Sequence, residues 1–526
     1  MALLKHLFQI NRSKFLATLG LASLAICVFM GKSWETSLQA LDSATHAVIA
    51  LDVSKSEGLP RLPMKNLQTN LRPEARFNDH PFTLFYLNGK IMRALGPEAW
   101  TARLLPTLFS VGCILLTAWL GTLLFSFEVG LLGALITLSS RDFVLIGSRF
   151  HLDTPLVFFI LLSFIFWVKG RPIAAGIAAG IGIWVKSPVS LLLFPSVALA
   201  LLIERRLDRM RIKMLIQSAG VALLTGSLIW LLTGVLGGFD LVSDYWTRQV
   251  LGTAVGGRGN GGVTDPWLGL GLLHRNFQPW FWLLLIALIR GAFQKAWKNP
   301  SLLFVFSAAL VLEGVMSWIR FKHYWYFVPV FPFLGLLCVA PFHDFLKKVA
   351  PSIEGGFTTL GIIAPLLLVA LPIPLGPEDH PGLRKLAPFI QSYGTCQDRI
   401  LYVDGEQPFG SDLNSTYELA FYTQRRILQA NCQNASELLL REAPEWVVVT
   451  GKNRFQCLPR NVRETYSSQW NFGGQYLLSR MVPAEKQGDL TPLVRELKPP
   501  KDCVSIPLPE TPYFPKPLSP AVSEAR

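Results

Sequence analysis

Charged residues stand at the ends of apolar runs along the first two-thirds of the chain. Asp42 and Asp79-His80 lie between the first and second runs, Asp153 precedes a later run, and Lys186 occupies the bend WVKSP. Ionisable groups beside hydrocarbon are costly to hold, so they usually face a cavity, a partner or a substrate. Carboxylates and cations at one depth suit a general base combined with a phosphate clamp.

Each of these residues also has an ordinary structural explanation. Asp42 could cap a surface helix, and Asp153 could cap the helix that follows it. Lys186, together with Arg320 and Lys322 of the later stretch IRFKHYWY, could reach toward lipid headgroups. Their common position beside apolar runs favours one shared cavity.

The composition indicates a membrane protein. The 526 residues are 51% hydrophobic and 16% charged, with a mean hydropathy of +0.38. Soluble domains are roughly a quarter charged. The net charge of +14 would suit nucleic acid, but Lys and Arg gather in short segments between apolar runs, as the positive-inside rule expects. We therefore expect no nucleic-acid partner.

The apolar runs predict an α-helical polytopic membrane protein with about 11–13 transmembrane helices, since a span needs about 20 apolar residues. The first run is interpreted as an uncleaved anchor, because GKSWETSL after it is a poor signal-peptide cleavage site. The candidate spans are approximately 15–31, 104–125, 129–147, 154–168, 171–187, 188–204, 214–236, 278–294, 301–320, 324–342 and 357–375.

The distribution of basic residues predicts the orientation. With a cytoplasmic N-terminus, most Lys and Arg of the short loops fall inside, and the short outside connections hold few. This places 32–103, 148–153, 186–188, 237–277, 320–323 and everything after about 376 on the outer face of the plasma (inner) membrane. All the chemically interesting residues above then lie on that face.

Two outside loops precede the last span. Residues 32–103 contain the helical stretches TSLQALDSATHAVIALDV and HPFTLFYLNGKIMRALG, which we interpret as surface helices of a 1–375 membrane domain. Residues 237–277 contain GGRGNGG at 256–262, which predicts a mobile loop. Such a loop could be a lid or a plain linker.

The C-terminal part has a soluble composition. RILYVDG, EWVVVTGK and GQYLLSRMV predict strands of a small extracytoplasmic α/β domain over 376–498, with helices near 382–392 and 433–442. Residues 499–526 form a Pro-rich tail. The domain and tail hold four cysteines in an oxidising space, which allow two disulfides in any of three pairings. Their spacing does not resemble a zinc motif. They are Cys396, Cys432, Cys457 and Cys503.

The order of the motifs resembles the GT-C class of glycosyltransferases. The most similar branch contains the lipid A aminoarabinose transferases and the protein O-mannosyltransferases of the dolichyl-phosphate-mannose-protein mannosyltransferase family. LDSATHA corresponds to the family's acidic motif, FNDHPF to its Tyr-Phe-Glu-Lys-Pro-Pro element, and Leu152-Asp153 to its Leu-Asp. Lys186-Ser187-Pro188 corresponds to a Lys-Gly-Pro turn, and KHYWYFVP to a Lys-x-x-x-Tyr-x-x-Pro entrance. The resemblance covers roughly 12–375.

The sequence departs from the family pattern at several places. Ser43 replaces the second acidic residue of the first motif, and Asp79 and His80 replace Glu and Lys of the second. The stretch GGRGNGGVTDP stands where the family has an acidic, His-bearing segment, so no metal site is predicted there.

The resemblance implies a donor sugar on a polyprenyl phosphate and a single inverting displacement. Asp42 would accept the proton of the acceptor, and Asp153 would orient the sugar or the acceptor, or share the role of base. The acceptor would be lipid A, another surface glycan or a protein hydroxyl. The residues implied for the donor phosphate are Lys186, Lys322, Arg320 and His80, and those implied to line the substrate cavity are Asp79, His46 and Tyr326.

Two other functions stay open from the sequence. Charged residues at membrane depth are equally expected in a transporter or flippase for a lipid-linked or anionic substrate. Such proteins often contain inverted repeats, and we find no half-to-half symmetry. Ser43, His80 and the glycine-rich loop would also suit a relative that keeps the fold without activity.

Overall fold

The helices of the membrane part follow the apolar runs. The computed structural model describes residues 12–31, 38, 41–55, 67–68, 79–255, 265, 267–293, 299–320, 322–370, 383, 386–387, 389–391, 398–404, 413–431, 435–450, 458, 466, 468–472 and 475–479. In chain order the α-helices up to residue 255 are α1 Arg12–Met30, α2 Leu41–Lys55, α3 Thr83–Leu95, α4 Ala99–Leu124, α5 Phe127–Ser139, α6 Arg141–Gly147, α7 Asp153–Val168, α8 Pro172–Val185, α9 Leu193–Ile203, α10 Arg209–Gly237, α11 Phe239–Asp244 and α12 Gly252–Val255.

The helices that follow complete the membrane part. They are α13 Leu268–Asn276, α14 Trp280–Phe293, α15 Pro300–Trp318, α16 Phe331–Val339, α17 His343–Lys348 and α18 Ala350–Ala370. Tighter 3-10 turns cover Pro188–Leu192, Tyr324–Val330 and Ala340–Phe342, and Tyr245–Leu251 forms a π-helix.

Several of these helices are long and apolar enough to cross a membrane. Among the described residues five segments qualify: α1, α4, Arg209–Leu236 of α10, α15 and the run Tyr324–Lys348. Four shorter apolar helices are Asp153–Val168, Pro172–Val185, Pro188–Ile203 and Trp280–Phe293. The predicted span 129–147 is not one straight helix, because α5 and α6 meet at an angle of 74°. Ser140 between them has an extended backbone conformation, which ends α5.

Helix α2 differs from the predicted amphipathic surface helix. Its apolar stripe, including Ala44, Val48 and Leu51, is buried, but so are Ser43 and His46 between the stripe residues. Helices α3 and α4 pack against it from the membrane part, and a helix of the C-terminal domain covers another side. A helix enclosed in this way needs no exposed polar face, so its sequence period alone does not reveal its surroundings.

The C-terminal domain is built on a mixed sheet. Strands β2 Arg399–Asp404, β3 Arg426–Asn431 and β4 Trp446–Thr450 are parallel, whereas β5 Ser468–Phe472 and β6 Gln475–Ser479 are antiparallel to their neighbours. Helices α19 Leu413–Thr423 and α20 Ala435–Glu442 accompany them. The sequence predicted β2, β4 and β6 but not β3 and β5.

The segment between α2 and α3 contributes a strand to this sheet. Strand β1, Leu67–Gln68, pairs in parallel with β3, with Leu67 opposite Ile427, so the strand order is β1-β3-β2-β4-β6-β5. The sheet is therefore not confined to 376–498.

Helix α19 docks the C-terminal domain on α2. The backbone N–H of Leu38 donates a hydrogen bond to the Tyr422 hydroxyl at 2.8 Å. Ala44 and Val48 of α2 belong to the same hydrophobic cluster as Leu419 and Ala420 of α19. The helix that carries Asp42 is thus fixed by both parts of the molecule.

Other predictions fall on residues outside the described ranges. They concern the glycine-rich loop 256–262, the tail 499–526 and the cysteines Cys396, Cys432, Cys457 and Cys503.

Candidate functional site

A buried ion pair joins the start of α7 to the end of the neighbouring helix α8. Lys186 directly follows α8, and its Nζ lies 2.5 Å from Oδ1 of Asp153, the first residue of α7. Both residues are at most 9% exposed. The Asp153 side chain makes no cap hydrogen bond to α7, and the Lys186 side chain turns inward. Asp153 is therefore not acting as a helix cap, and Lys186 does not reach toward lipid headgroups.

Hydrogen bonds from neighbouring helices fix the position of α7 and α8. The Ser110 hydroxyl of α4 donates to Oγ1 of Thr154 at 2.9 Å, next to Asp153. The Ser163 hydroxyl of α7 donates to the carbonyl of Ala175 in α8 at 2.6 Å. The first contact lies beside Asp153, whereas the second joins α7 to α8 near the ends opposite the ion pair.

Two tyrosines flank Lys186. The Tyr245 hydroxyl of the π-helix donates to the Lys186 carbonyl at 2.8 Å. The Lys186 ammonium lies 5.2 Å from the centre of the Tyr326 ring, within the range of a cation–π contact. The ammonium is therefore placed between a carboxylate and an aromatic face.

Helix α2 holds the segment that leads into Asp153. The backbone N–H of Phe150 donates to the Ser43 hydroxyl at 3.0 Å, and Nδ1 of His46 lies 2.8 Å from the Phe150 carbonyl. Because a carbonyl only accepts, Nδ1 of His46 carries a proton. Ser43, which replaces an acidic residue of the family motif, thus anchors the backbone beside the site.

Burial keeps His46 neutral. Desolvation lowers the pKa of His46 to about 4, against the opposing effect of the nearby Asp42 charge. The His46 ring contacts the rings of His80 and His151, with centroid distances of 5.7 and 6.4 Å. His46 therefore links α2 to the residues around the ion pair.

A cavity of about 300 Å³ adjoins the ion pair. Most of its wall is apolar, including Leu156, Val189 and Met316. A small set of polar groups in an apolar pocket suits a ligand with a charged head and a long apolar part. The polar lining residues are Asp79, His80, Asp153, Lys186, Ser187, Tyr245, Gln249, Thr253 and Tyr326.

The predicted site residues divide into three groups. Asp79, His80, Asp153, Lys186 and Tyr326 line the cavity together. His46 is not a lining residue, but its ring contacts the ring of His80. Asp42, which is half-buried, lies one helical turn before His46. Arg320 and Lys322 are not among the lining residues.

The segments that carry Asp42 and Asp153 meet, although 111 positions of sequence separate the two carboxylates. Ser43, next to Asp42, accepts a hydrogen bond from the backbone N–H of Phe150, three residues before Asp153.

Lys322, which was predicted to bind the donor phosphate, does not line the cavity and contacts backbone carbonyls instead. It is 1% exposed, and its Nζ donates to the backbone carbonyls of Asp265 and Ser317 at 3.0 and 2.5 Å. Its ammonium thus fixes the chain before the Tyr324–Val330 turn. Arg320 is exposed.

Sequence reasoning missed three residues of the site. His151 lies beside Asp153, with 3.7 Å between Nδ1 and Oδ2. Gln249 lines the cavity from the π-helix, and Arg248 of the same helix pairs with Asp79 at 2.7 Å. His151 could have been found from its spacing of two residues from Asp153; the residues of the π-helix gave no such signal.

The described residues contain no group of three His, Cys, Asp or Glu side chains that could hold a metal ion. The polar groups around the cavity are instead suited to proton transfer and to binding an anion.

Comparison with known proteins finds a matching family model and solved structures of similar fold. Residues 79–230 match the family model described as dolichyl-phosphate-mannose-protein mannosyltransferase. ArnT from Cupriavidus metallidurans bound to undecaprenyl phosphate is similar in structure, with a TM-score of 0.62 and 15% identity over 88% of this chain and 98% of that chain. Its apo state gives the same TM-score and identity, covering 88% and 97%.

The archaeal oligosaccharyltransferase AglB from Archaeoglobus fulgidus, in complex with an inhibitory peptide and a dolichol-phosphate, has a TM-score of 0.49 and 13% identity over 82% and 69% of the two chains. Comparison with curated protein sequences gives no significant match. The family model and the ArnT fold confirm the resemblance inferred from the motifs. The chain is a multi-spanning helical protein with a fold similar to that of ArnT, and its residues 79–230 match the dolichyl-phosphate-mannose-protein mannosyltransferase family model.

Proposed function

We propose that the protein transfers a sugar from a polyprenyl-phosphate donor to an acceptor outside the cytoplasm. The observation that carries this proposal is the buried Asp153–Lys186 pair, which adjoins a mainly apolar cavity. A polyprenyl-phosphate sugar has the matching parts: an anionic phosphate, a polar sugar and an apolar tail.

Lys186 and His80 are the proposed ligands of the donor phosphate, because both line the cavity. A lysine ammonium neutralises the negative charge that the leaving phosphate retains. The apolar wall around Leu156, Val189 and Met316 would contact the isoprenoid. The undecaprenyl phosphate bound to ArnT, a protein of similar fold, supports this choice of donor.

Asp42 is the proposed general base. Asp153 is already paired with Lys186, and Asp79 with Arg248, whereas Asp42 is half-buried at the start of α2. In one inverting displacement the acceptor atom forms a bond to the anomeric carbon while the carbon–oxygen bond to phosphate breaks. Asp42 takes the acceptor's proton, and the phosphate leaves with the bonding electron pair.

The outer leaflet of the inner membrane is the proposed place of the reaction. The positive-inside pattern supports a site on that face and an N-terminus in the cytoplasm. A lipid donor can enter from the leaflet, where nucleotide sugars are absent. The acceptors that this location allows are lipid A, another surface glycan and a protein Ser or Thr.

The test is sugar transfer by the purified protein in lipid vesicles, with labelled polyprenyl-phosphate sugar and each acceptor in turn. Asp42→Asn should lower turnover by roughly 10²–10⁴, because removal of a general base has that effect. Asp344→Asn is the matched control, since Asp344 is an exposed carboxylate on α17. It should transfer sugar at the normal rate.

Retained transfer by well-expressed Asp42→Asn would rule out Asp42 as the base. Movement of intact labelled lipid across the vesicle membrane, with no release of sugar from phosphate by the unaltered protein, would contradict the enzyme and favour a flippase. Mass spectrometry of lipid A, surface polysaccharide and secreted proteins from a deletion strain would identify the acceptor.

A further inference from the structure

His151 is a buried histidine whose Nδ1 lies near an ionisable partner beyond hydrogen-bonding distance. It is 1% exposed, and within the described part of the chain neither ring nitrogen has a hydrogen-bond partner. Oδ2 of Asp153 is likewise without a hydrogen bond there, and it lies 3.7 Å from Nδ1 of His151. A buried polar group left unpaired is costly, so two such groups facing each other need an explanation.

The ion pair creates a conflict for the proposed reaction. In the structure the Lys186 ammonium is bound to Oδ1 of Asp153 at 2.5 Å. A donor phosphate that takes this ammonium would leave the Asp153 carboxylate buried without a counter-charge. Removing one member of a buried ion pair is strongly unfavourable.

We infer that His151 is a positioning residue that receives the Asp153 carboxylate when the donor phosphate draws Lys186 away. This inference rests on the proposed function. A shift of less than one ångström would bring Nδ1 and Oδ2 within hydrogen-bonding distance. His151 would thus offset the loss of Lys186, and Asp153 would keep a fixed orientation toward the sugar.

The surroundings of His151 restrict its movement. Its ring contacts the rings of His46 and Trp325, with centroid distances of 6.4 and 5.7 Å. His46 is itself held by the Phe150 carbonyl. The Asp153 side chain is therefore the part that turns, from Lys186 toward a ring that the aromatic groups keep in place.

The test measures binding of undecaprenyl phosphate, without sugar, to the purified full-length protein in detergent. His151→Phe keeps a ring but cannot donate a hydrogen bond, and it should weaken binding by about 10- to 100-fold, the usual value of a hydrogen bond to a charged group. His151→Gln retains an N–H donor and should bind within about threefold of the unaltered protein. His274→Phe, at an exposed histidine of α13, is the control and should bind normally.

A double variant separates a positioning role from a merely structural one. In an Asp153→Asn background there is no carboxylate to receive, so adding His151→Phe should cause no further loss of binding. An equal loss in both backgrounds would overturn the inference, as would normal binding by His151→Phe alongside lost binding by Lys186→Met. Failure of the unaltered protein to bind undecaprenyl phosphate would instead overturn the proposed function, and the inference with it.

Discussion

At the scale of single residues, the site depends on how buried charges are compensated. Asp153 and Lys186 are each costly to bury alone, and their short contact offsets that cost. Exposed pairs such as Asp208 with Arg211 contribute little, because water screens them. The two kinds of pair should therefore respond differently to substitution.

Lys186→Met should lower the free energy of unfolding by about 3–5 kcal/mol, because it leaves the Asp153 carboxylate buried and uncompensated. Adding Asp153→Leu to Lys186→Met should recover a large part of this loss. Arg211→Met is the matched control and should cost less than about 1 kcal/mol. Unfolding in detergent measures all three, and a double variant no more stable than Lys186→Met would contradict the prediction.

His46 should make stability depend on pH. Its pKa is about 4 in the folded chain and 6.5 in a model peptide, so the unfolded chain binds more protons between these values. Stability should therefore fall as the pH is lowered from 6.5 to 4, by about 3 kcal/mol. His46→Gln, which keeps a donor for the Phe150 carbonyl, should remove this part of the pH dependence. His274→Gln is the control and should leave the pH dependence unchanged. If His274→Gln removes as much of the pH dependence as His46→Gln does, His46 is not its source.

At the scale of elements, the π-helix Tyr245–Leu251 forms one wall of the cavity. Tyr245 bonds the Lys186 carbonyl, Gln249 and Val250 line the cavity, and Arg248 pairs with Asp79. The Arg248 and Asp79 side chains are 43% and 29% exposed, so their pairing contributes little to stability. The ion pair instead holds the π-helix next to Asp79 of the FNDHPF motif.

Arg248→Asp should raise the KM for the lipid donor about 3- to 10-fold with little change in thermal stability, because it sets two carboxylates beside an anionic substrate. Exchanging both charges, in Asp79→Arg with Arg248→Asp, should restore part of the affinity. Steady-state transfer kinetics measure the effect. A double variant worse than either single variant would show that the pairing itself is not what matters.

At the scale of the whole molecule, the C-terminal domain is part of the site's support. Helix α19 covers α2, and strand β1 from the segment between α2 and α3 joins the sheet. The backbone N–H of Leu38, which precedes α2, donates to the Tyr422 hydroxyl of α19. A change at this interface should therefore reach the helix that carries Asp42, Ser43 and His46.

Ala420→Trp should overpack the interface between α19 and α2, which costs about 1–3 kcal/mol, and should lower sugar transfer. Limited proteolysis should then release the C-terminal domain sooner than in the unaltered protein. Leu440→Trp on α20 is the control, because Leu440 is 75% exposed. Normal transfer by Ala420→Trp would mean that the domain does not support the site.

The sequence by itself determined the apolar spans, helices α2 and α3 and the polar residues at the span ends. Each of these is a local property, because residues that are close in the sequence define a hydrophobic run or a helical period. The order of the motifs indicated a resemblance to the GT-C class, and the fold is similar to that of ArnT. It also selected Asp79, His80, Asp153, Lys186 and Tyr326, which the structure brings to one cavity.

Only the tertiary structure decided which of these groups meet. Asp153 pairs with Lys186 across 33 positions and Asp79 with Arg248 across 169, whereas Lys322 turns to backbone carbonyls. Such contacts depend on which helix ends pack together, and a single sequence does not record that. The addition of β1 to a sheet more than 300 residues later has the same cause, since strand pairing is a long-range contact.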